Sequence, residues 1–178
     1  APSTEAMGGR LKVLAGEQGI WDIEGDINIP LSDKWALRAF AFTREDDGFM
    51  TNPGSPSPVF GVNYNQPEDV GAYEQSGGRL VLHGEVNDRV SITASARFNE
   101  YDGPVNNWAR DMGAAGSLQY PLTLDTSLNP THERETFGAR FEINVEGDVF
   151  DFKSITSYTD TESDRHTDID LTQLWFIN

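Results

Sequence analysis

From Ile20 to Leu31 the chain alternates apolar and polar residues almost without a break. Trp21, Ile23, Gly25, Ile27 and Ile29 fall to one side, and Asp22, Glu24, Asp26 and Asn28 to the other. Successive side chains of an extended strand point to opposite faces, so this segment reads as a strand with one apolar and one ionic face. The pattern recurs. Roughly Gly9 to Gly16 sets Leu11, Val13 and Ala15 against Arg10 and Lys12. Trp35 to Arg44 sets Leu37, Ala39 and Ala41 against Arg38 and Arg44, with Phe40 and Phe42 blurring the polar side. Near Gly77 to Glu85, Leu80 and Leu82 oppose Arg79 and His83. Val90 to Asn99 alternates most cleanly, Arg134 to Glu146 does so with Phe137, Ala139, Phe141, Ile143 and Val145, and a last strand runs from Val149 to about Thr159.

The connections have two lengths. Pro30 to Lys34, Asn87-Asp88 and Gly147-Asp148 are short turns built from turn-forming residues. Glu45 to about Gln75, with Pro53, Pro56, Pro58 and Pro67, and Glu100 to about His132 are long loops on the opposite end, and the chain from Asp160 onward reads as a third. The expectation is an all-β, antiparallel up-and-down meander of about seven strands. Short turns at one end and long loops at the other are the habit of outer-membrane barrels, whereas structureless loops of such length are unusual in a compact water-soluble domain.

Composition narrows the functional classes. The formal net charge of -16 opposes binding to nucleic acid, which needs Lys and Arg for phosphates, and docking on anionic lipid through a basic patch. There is no cysteine, so no disulfide or thiolate-metal framework exists. No apolar run approaches the roughly 18 residues of a helical span, but membrane strands need only about 9–11 residues and alternate in polarity. Ala1-Pro2-Ser3-Thr4-Glu5 lacks the basic and apolar regions of an export signal; the expectation is a piece of a longer chain.

A soluble β-sandwich also alternates, with its apolar face turned to a core. Three features favour a partial transmembrane barrel wall. Small residues (Gly25, Ala39, Ala41, Ala94, Ala96, Ala139) crowd the apolar face, where a dense core would select larger ones. Aromatic residues stand near strand ends, Trp21 and Tyr158 toward the long loops and Trp35 and Phe150 toward the short turns. Arginines sit mid-strand on the other face, which suits a wet lumen; on the lipid face each would cost roughly 2–4 kcal/mol.

Several segments resemble TonB-dependent outer-membrane receptors. Pro2-Ser3-Thr4-Glu5 followed by Gly8-Gly9 is similar to the passage from plug domain to first barrel strand. Ile27-Asn28-Ile29-Pro30-Leu31-Ser32-Asp33-Lys34-Trp35-Ala36-Leu37-Arg38 resembles that family's N-x-P-L-x-D-x-x-A-L-R hairpin, and Arg44-Glu45-Asp46-Asp47-Gly48-Phe49 its R-x-D-D-G strand exit. Ser154-Ile155-Thr156-Ser157-Tyr158, trailing into Asp164, Arg165 and Asp168, resembles its S-I-T-S-Y strand and following loop. The matches fall in order along nearly the whole chain.

The resemblance implies a receptor in the outer membrane of a Gram-negative bacterium. It takes up a scarce ligand, such as a ferric siderophore, through a barrel of about 22 strands round a plugged lumen. The partners it implies are outer-membrane lipid, the plug domain and remaining strands of a parent chain, a small-molecule ligand, and TonB only through the plug. Nothing here is similar to the plug, and Trp175-Phe176-Ile177-Asn178 differs from that family's terminal strand, so the chain matches the first third of a barrel. The rival expectations are a small eight-stranded barrel acting as anchor or adhesin, with Leu171 to Ile177 as its eighth strand, and a soluble β-sandwich binding module.

Catalytic chemistry has no foothold: no G-x-S-x-G elbow occurs, and the reading assigns no catalytic residue, no cofactor and no metal. His83, His132 and His166 lack metal-ligand spacing. Glu45, Asp46, Asp47, Glu100, Asp102, Asp160, Glu162 and Asp164 gather at the long-loop end, either as a cation-attracting or calcium-binding vestibule or as solvated loop surface; no EF-hand spacing is present. Phe49, Phe60, Tyr64, Tyr73, Trp108 and Tyr120, with Arg110, are loop side chains able to stack on and pair with a ligand. Tyr64, Trp108, Arg110 and Tyr120 are the expected ligand contacts.

Overall fold

In the computed structural model, residues 1–17, 19–48, 50–51, 69–104 and 131–167 are described. The strands are β1 (Gly8–Ala15), β2 (Trp21–Pro30), β3 (Trp35–Asp46), β4 (Met50–Thr51), β5 (Asp69–Val70), β6 (Tyr73–Asn87), β7 (Val90–Gly103), β8 (Thr131–Val145) and β9 (Phe152–His166). Seven of them form one antiparallel sheet in the order β1-β2-β3-β6-β7-β8-β9, so each long strand pairs with its neighbour in sequence. The up-and-down meander is therefore observed. The sheet does not close, because β1 and β9 are its two edges.

Each hairpin is set by local chemistry. In the β2–β3 turn the Ser32 hydroxyl accepts from the Trp35 amide at 3.2 Å, while Leu31 N–H donates to Trp35 C=O at 2.8 Å. The Asn87 carboxamide oxygen accepts from Arg89 N–H at 2.9 Å, folding the β6–β7 turn as an Asx motif. Neighbouring turns are tied together: Glu85 N–H donates to Lys34 C=O, Glu146 N–H donates to Arg89 C=O, and Arg89 pairs with Asp148 at 2.9 Å. At the other end Gly48 has φ 88°, a conformation few other residues adopt, and its N–H donates to the Asp46 carboxylate at 2.8 Å.

The β6–β7 ladder contains one irregularity that governs everything beyond it. Asn87 pairs with Val90 but Glu85 pairs with Ser91, leaving Val86 as the extra residue of a bulge. Carried on without the bulge, the Asn87–Val90 register would set Arg79 opposite Phe98 and turn polar residues onto the apolar side. With it, Arg79 meets Arg97 and Leu80 meets Ala96.

The strands are longer than the alternation alone suggests. Asp160 to His166 belongs to β9, and Glu45, Glu100 and Asp102 belong to β3 and β7, not to loops. Above the alternating zone both faces carry polar residues, so the period-2 signal vanishes while the backbone ladder continues. Tyr158 consequently lies mid-strand opposite Ala139 and not at a strand end. The last strand begins at Phe152 instead of Val149; Val149 and Phe150 form the β8–β9 connection. The loop expected between Glu45 and Gln75 holds the short β4–β5 pair, and β6 already starts at Tyr73. Leu171 to Ile177 lies outside the described residues.

Ala36 is the one apolar residue buried in a core sense among the described residues. Leu11 is 73% exposed, Leu80 53%, Phe137 46% and Phe141 43%. The sheet has thus put most of its apolar residues on one face, with Ala36, Phe40, Phe42 and Val81 on the other, and among the described residues the apolar face meets no second layer.

Candidate functional site

The register sorts the two faces row by row. On one side, Leu37, Leu82, Ala94, Phe141 and Thr156 form a cross-strand row, and Ile27, Ala39, Leu80, Ala96, Ala139 and Tyr158 the next. Toward the long-loop end this apolar band gives way to acid. Glu45, Glu74, Asp102, Glu133 and Asp164 make one row, and Glu100, Glu135 and Glu162 stand beside one another in the row below. All eight are exposed.

The opposite face carries every lysine and arginine of the seven long strands: Arg10, Lys12, Arg38, Arg44, Arg79, Arg97, Arg134, Arg140, Lys153 and Arg165. It curls round a cavity of about 910 Å³ whose walls come from β1, β2, β3, β6, β7 and β8. Ala1 and Pro2 also line this cavity, because the segment before β1 runs along the ionic side. Asn28 clasps that segment, accepting from Ser3 N–H and donating to the Ser3 and Ala6 carbonyls, each at 2.8 Å.

Two ion-paired zones flank the cavity. On the β1–β3 side each carboxylate of β2 is shared by two cations. Asp26 lies 3.4 Å from Arg10 and 2.7 Å from Arg38; Asp22 and Glu24 both bridge Lys12 and Arg44 at 3.3–3.7 Å. On the β8–β9 side Glu142 receives Arg140 and Lys153, each at 2.6 Å, and Asn144 at 3.2 Å. Central β2 is thus held to both neighbours by ionic staples as well as by its backbone ladder.

Between the zones, on β6 and β7, Arg79 and Arg97 stand directly opposite each other. Neither takes part in a salt bridge among the described residues. Arg97 lies across Gly138, where a Cβ would come 2.7 Å from its Nε. Phe40 faces Arg79 from β3, and its ring lies 5.8 Å from that of Phe42. Below, His83 Nδ1 is 2.8 Å from the Thr93 hydroxyl.

A second cluster stands at the long-loop end of this face, above the apolar band. The Tyr73 and Tyr101 rings stack at 6.3 Å, His132 lies 5.7 Å from Tyr101, and Arg134 covers Tyr101 at 5.8 Å. The Tyr101 hydroxyl donates to Pro104 C=O at 3.1 Å, and burial pushes its pKa up. His132 is buried with Nε2 3.0 Å from the Ser163 hydroxyl; burial first, then the charges of Arg165 and Arg134, pull its pKa below the ordinary value.

Tyr64, Trp108, Arg110 and Tyr120, together with Phe49 and Phe60, lie outside the described residues. Tyr73 is placed, on a strand, in the aromatic cluster just named. The mid-strand arginines were visible in the sequence as a class. Their meeting at Arg79 and Arg97 was not, since it needs the register that the Val86 bulge sets. No group of three or more His, Cys, Asp or Glu able to hold a metal ion is found among the described residues.

No family model matches this chain, and neither a curated protein nor a solved structure does.

Proposed function

We propose that this chain is part of the wall of an outer-membrane β-barrel receptor of the TonB-dependent type, with its apolar face against lipid and its ionic face toward a water-filled lumen. One observation carries the reading: every cation of the seven long strands lies on one face, while the other offers an apolar band that stays exposed among the described residues. On β7 the band runs from Val90 to Phe98, about the 9–11 residues a tilted membrane strand needs. A water-soluble sandwich would bury that band against a second sheet.

The carboxylate rows then stand where the strands leave the membrane on the long-loop side. The segment before β1, clasped by Asn28 on the lumen side, enters from where a plug would sit. In this reading the chain performs no chemistry. It supplies wall and loops for uptake of a scarce ligand such as a ferric siderophore, and the energy arrives through TonB and a plug.

Nitroxide labels test the assignment of faces in the intact protein reconstituted in vesicles. Labels replacing Ile92 and Phe141 are expected to relax with oxygen and to be shielded from a water-soluble nickel chelate, while labels at Ser95 and Thr136 show the reverse. Equal shielding of all four positions would sink the proposal.

A further inference from the structure

Asparagine is disfavoured inside strands, because its short polar side chain competes with the backbone ladder. Asn28 nonetheless sits within β2, paired through its backbone with Gly8 of β1 and Arg38 of β3. Its carboxamide is committed to the chain ahead of β1. The oxygen accepts from Ser3 N–H, and the NH₂ group donates to the Ser3 and Ala6 carbonyls, each at 2.8 Å. Among the described residues these three are the only hydrogen bonds between residues 1–6 and the sheet. The segment's other one, from Glu5 N–H to the Ser3 hydroxyl at 3.2 Å, is internal.

Pro2 is buried, and with Ala1 it lines the cavity that Arg10, Asp26 and Arg38 also line. The segment joins the sheet at Met7, which is 69% exposed, and at Gly8, where a Cβ would meet nothing within 4 Å. Little packing holds that junction down. One side chain therefore ties the segment to the sheet, and the β1–β2 and β2–β3 ladders that Asn28 joins use only its backbone.

We propose that residues 1–6 form a strap over the β1–β3 side of the cavity, that Asn28 is its latch, and that releasing the latch lets the strap swing about Met7 and Gly8 and widen the cavity while the sheet stays intact. The latch stands on the clasp and on the burial of Pro2, not on the receptor reading.

Thiol chemistry on the intact protein tests it. This chain has no cysteine, so Pro2→Cys supplies a single thiol whose rate of reaction with a water-soluble maleimide reports whether the strap is seated. Asn28→Asp keeps the acceptor for Ser3 N–H but loses both donated bonds and sets a carboxylate against two carbonyl oxygens. It should raise the rate at position 2 about tenfold, the scale of two lost hydrogen bonds. Ser3→Pro, a change in the strap and not in the sheet, removes the Ser3 N–H and should raise the rate by a smaller factor.

Val81→Cys, on the cavity wall in the same cross-strand row as Asn28 and Arg38, should react faster in Asn28→Asp. Val149→Cys, on an exposed turn, should not change. An unchanged rate at position 2 in either Asn28→Asp or Ser3→Pro overturns the latch. So does a rate at position 2 that already equals the rate at position 149 while Asn28 is in place. Faster reaction at position 2 with none at position 81 overturns the widening of the cavity. Faster amide exchange throughout β1 to β3 in Asn28→Asp would show that the sheet gave way, and would overturn a latch that acts on the strap alone. These rates need no lipid and the nitroxide labels need no strap, so the latch and the lipid-facing wall fail separately.

Discussion

The indole of Trp35 lies flat across Gly84, its register partner, so closely that a Cβ at Gly84 would come 2.1 Å from Trp35 Cδ2. A glycine in mid-strand normally weakens a sheet, and here the space it leaves is filled by an aromatic ring from the next strand. Gly84→Ala is therefore expected to push the indole off the sheet and destabilise the protein by about 1–3 kcal/mol, as overpacking does. Denaturant unfolding followed by Trp fluorescence measures both effects; an unchanged midpoint with unchanged emission would refute the packing argument.

Asp26 is only 11% exposed and serves two cations on two different strands. Asp26→Asn should loosen β1 and β3 together. Because Arg10 and Arg38 are 70% and 40% exposed, water screens much of the attraction, and a loss of about 1 kcal/mol is expected. Hydrogen exchange should report it as faster exchange in β1 and β3, with β8 and β9 unaffected.

The row of Glu45, Glu74, Asp102, Glu133 and Asp164 is a ladder of like charge on exposed strand surface. Raising ionic strength from about 0.02 M to about 0.3 M shortens the screening length severalfold and should stabilise this end of the sheet. Asp102→Asn, in the middle of the row, should raise the melting temperature at low salt and lose that advantage at high salt. Equal effects at both salt concentrations would mean that repulsion along the row is negligible.

His132 has a pKa below its unfolded value, so the unfolded chain takes up the proton more readily. Its contribution is fully present above about pH 6.5 and declines as the pH falls through that value toward the lower folded pKa. The loss of stability between about pH 8 and about pH 5.5 should be smaller in His132→Gln, which cannot gain the charge facing Arg134 and Arg165. Identical pH profiles would exclude His132 as the responsible group.

Deletions test the register directly. Removing Val86 deletes the unpaired residue of the bulge and leaves Glu85 opposite Ser91 and Asn87 opposite Val90, so both faces are preserved. Removing Val81 instead turns His83 and Glu85 onto the apolar face. In vesicles the first deletion should still give a folded, protease-resistant sheet and the second should not; an unfolded Val86 deletion, or a Val81 deletion that folds as well as the intact chain, would refute this register.

Much of the architecture was legible in the residues themselves. Alternation at Ile20 to Leu31, Val90 to Asn99 and Arg134 to Glu146 announced strands, their order and which side chains share a face, because the period-2 geometry of a strand is a local property. Strand ends were less legible. Asp160 to His166 and Glu100 to Gly103 are mostly polar on both sides, so nothing local distinguishes them from loop; pairing with β8, and for Glu100 to Asp102 with β6 as well, makes them strand.

What the amino-acid order determined alone, then, is the two-faced character of each ribbon: cations to one side, apolar groups to the other. Which cation meets which was decided by the tertiary structure. One unpaired residue at Val86 changes every pairing between β6 and β7, and pairing joins residues distant in sequence, whose relative position no local pattern encodes. Arg79 opposite Arg97 is a product of that register.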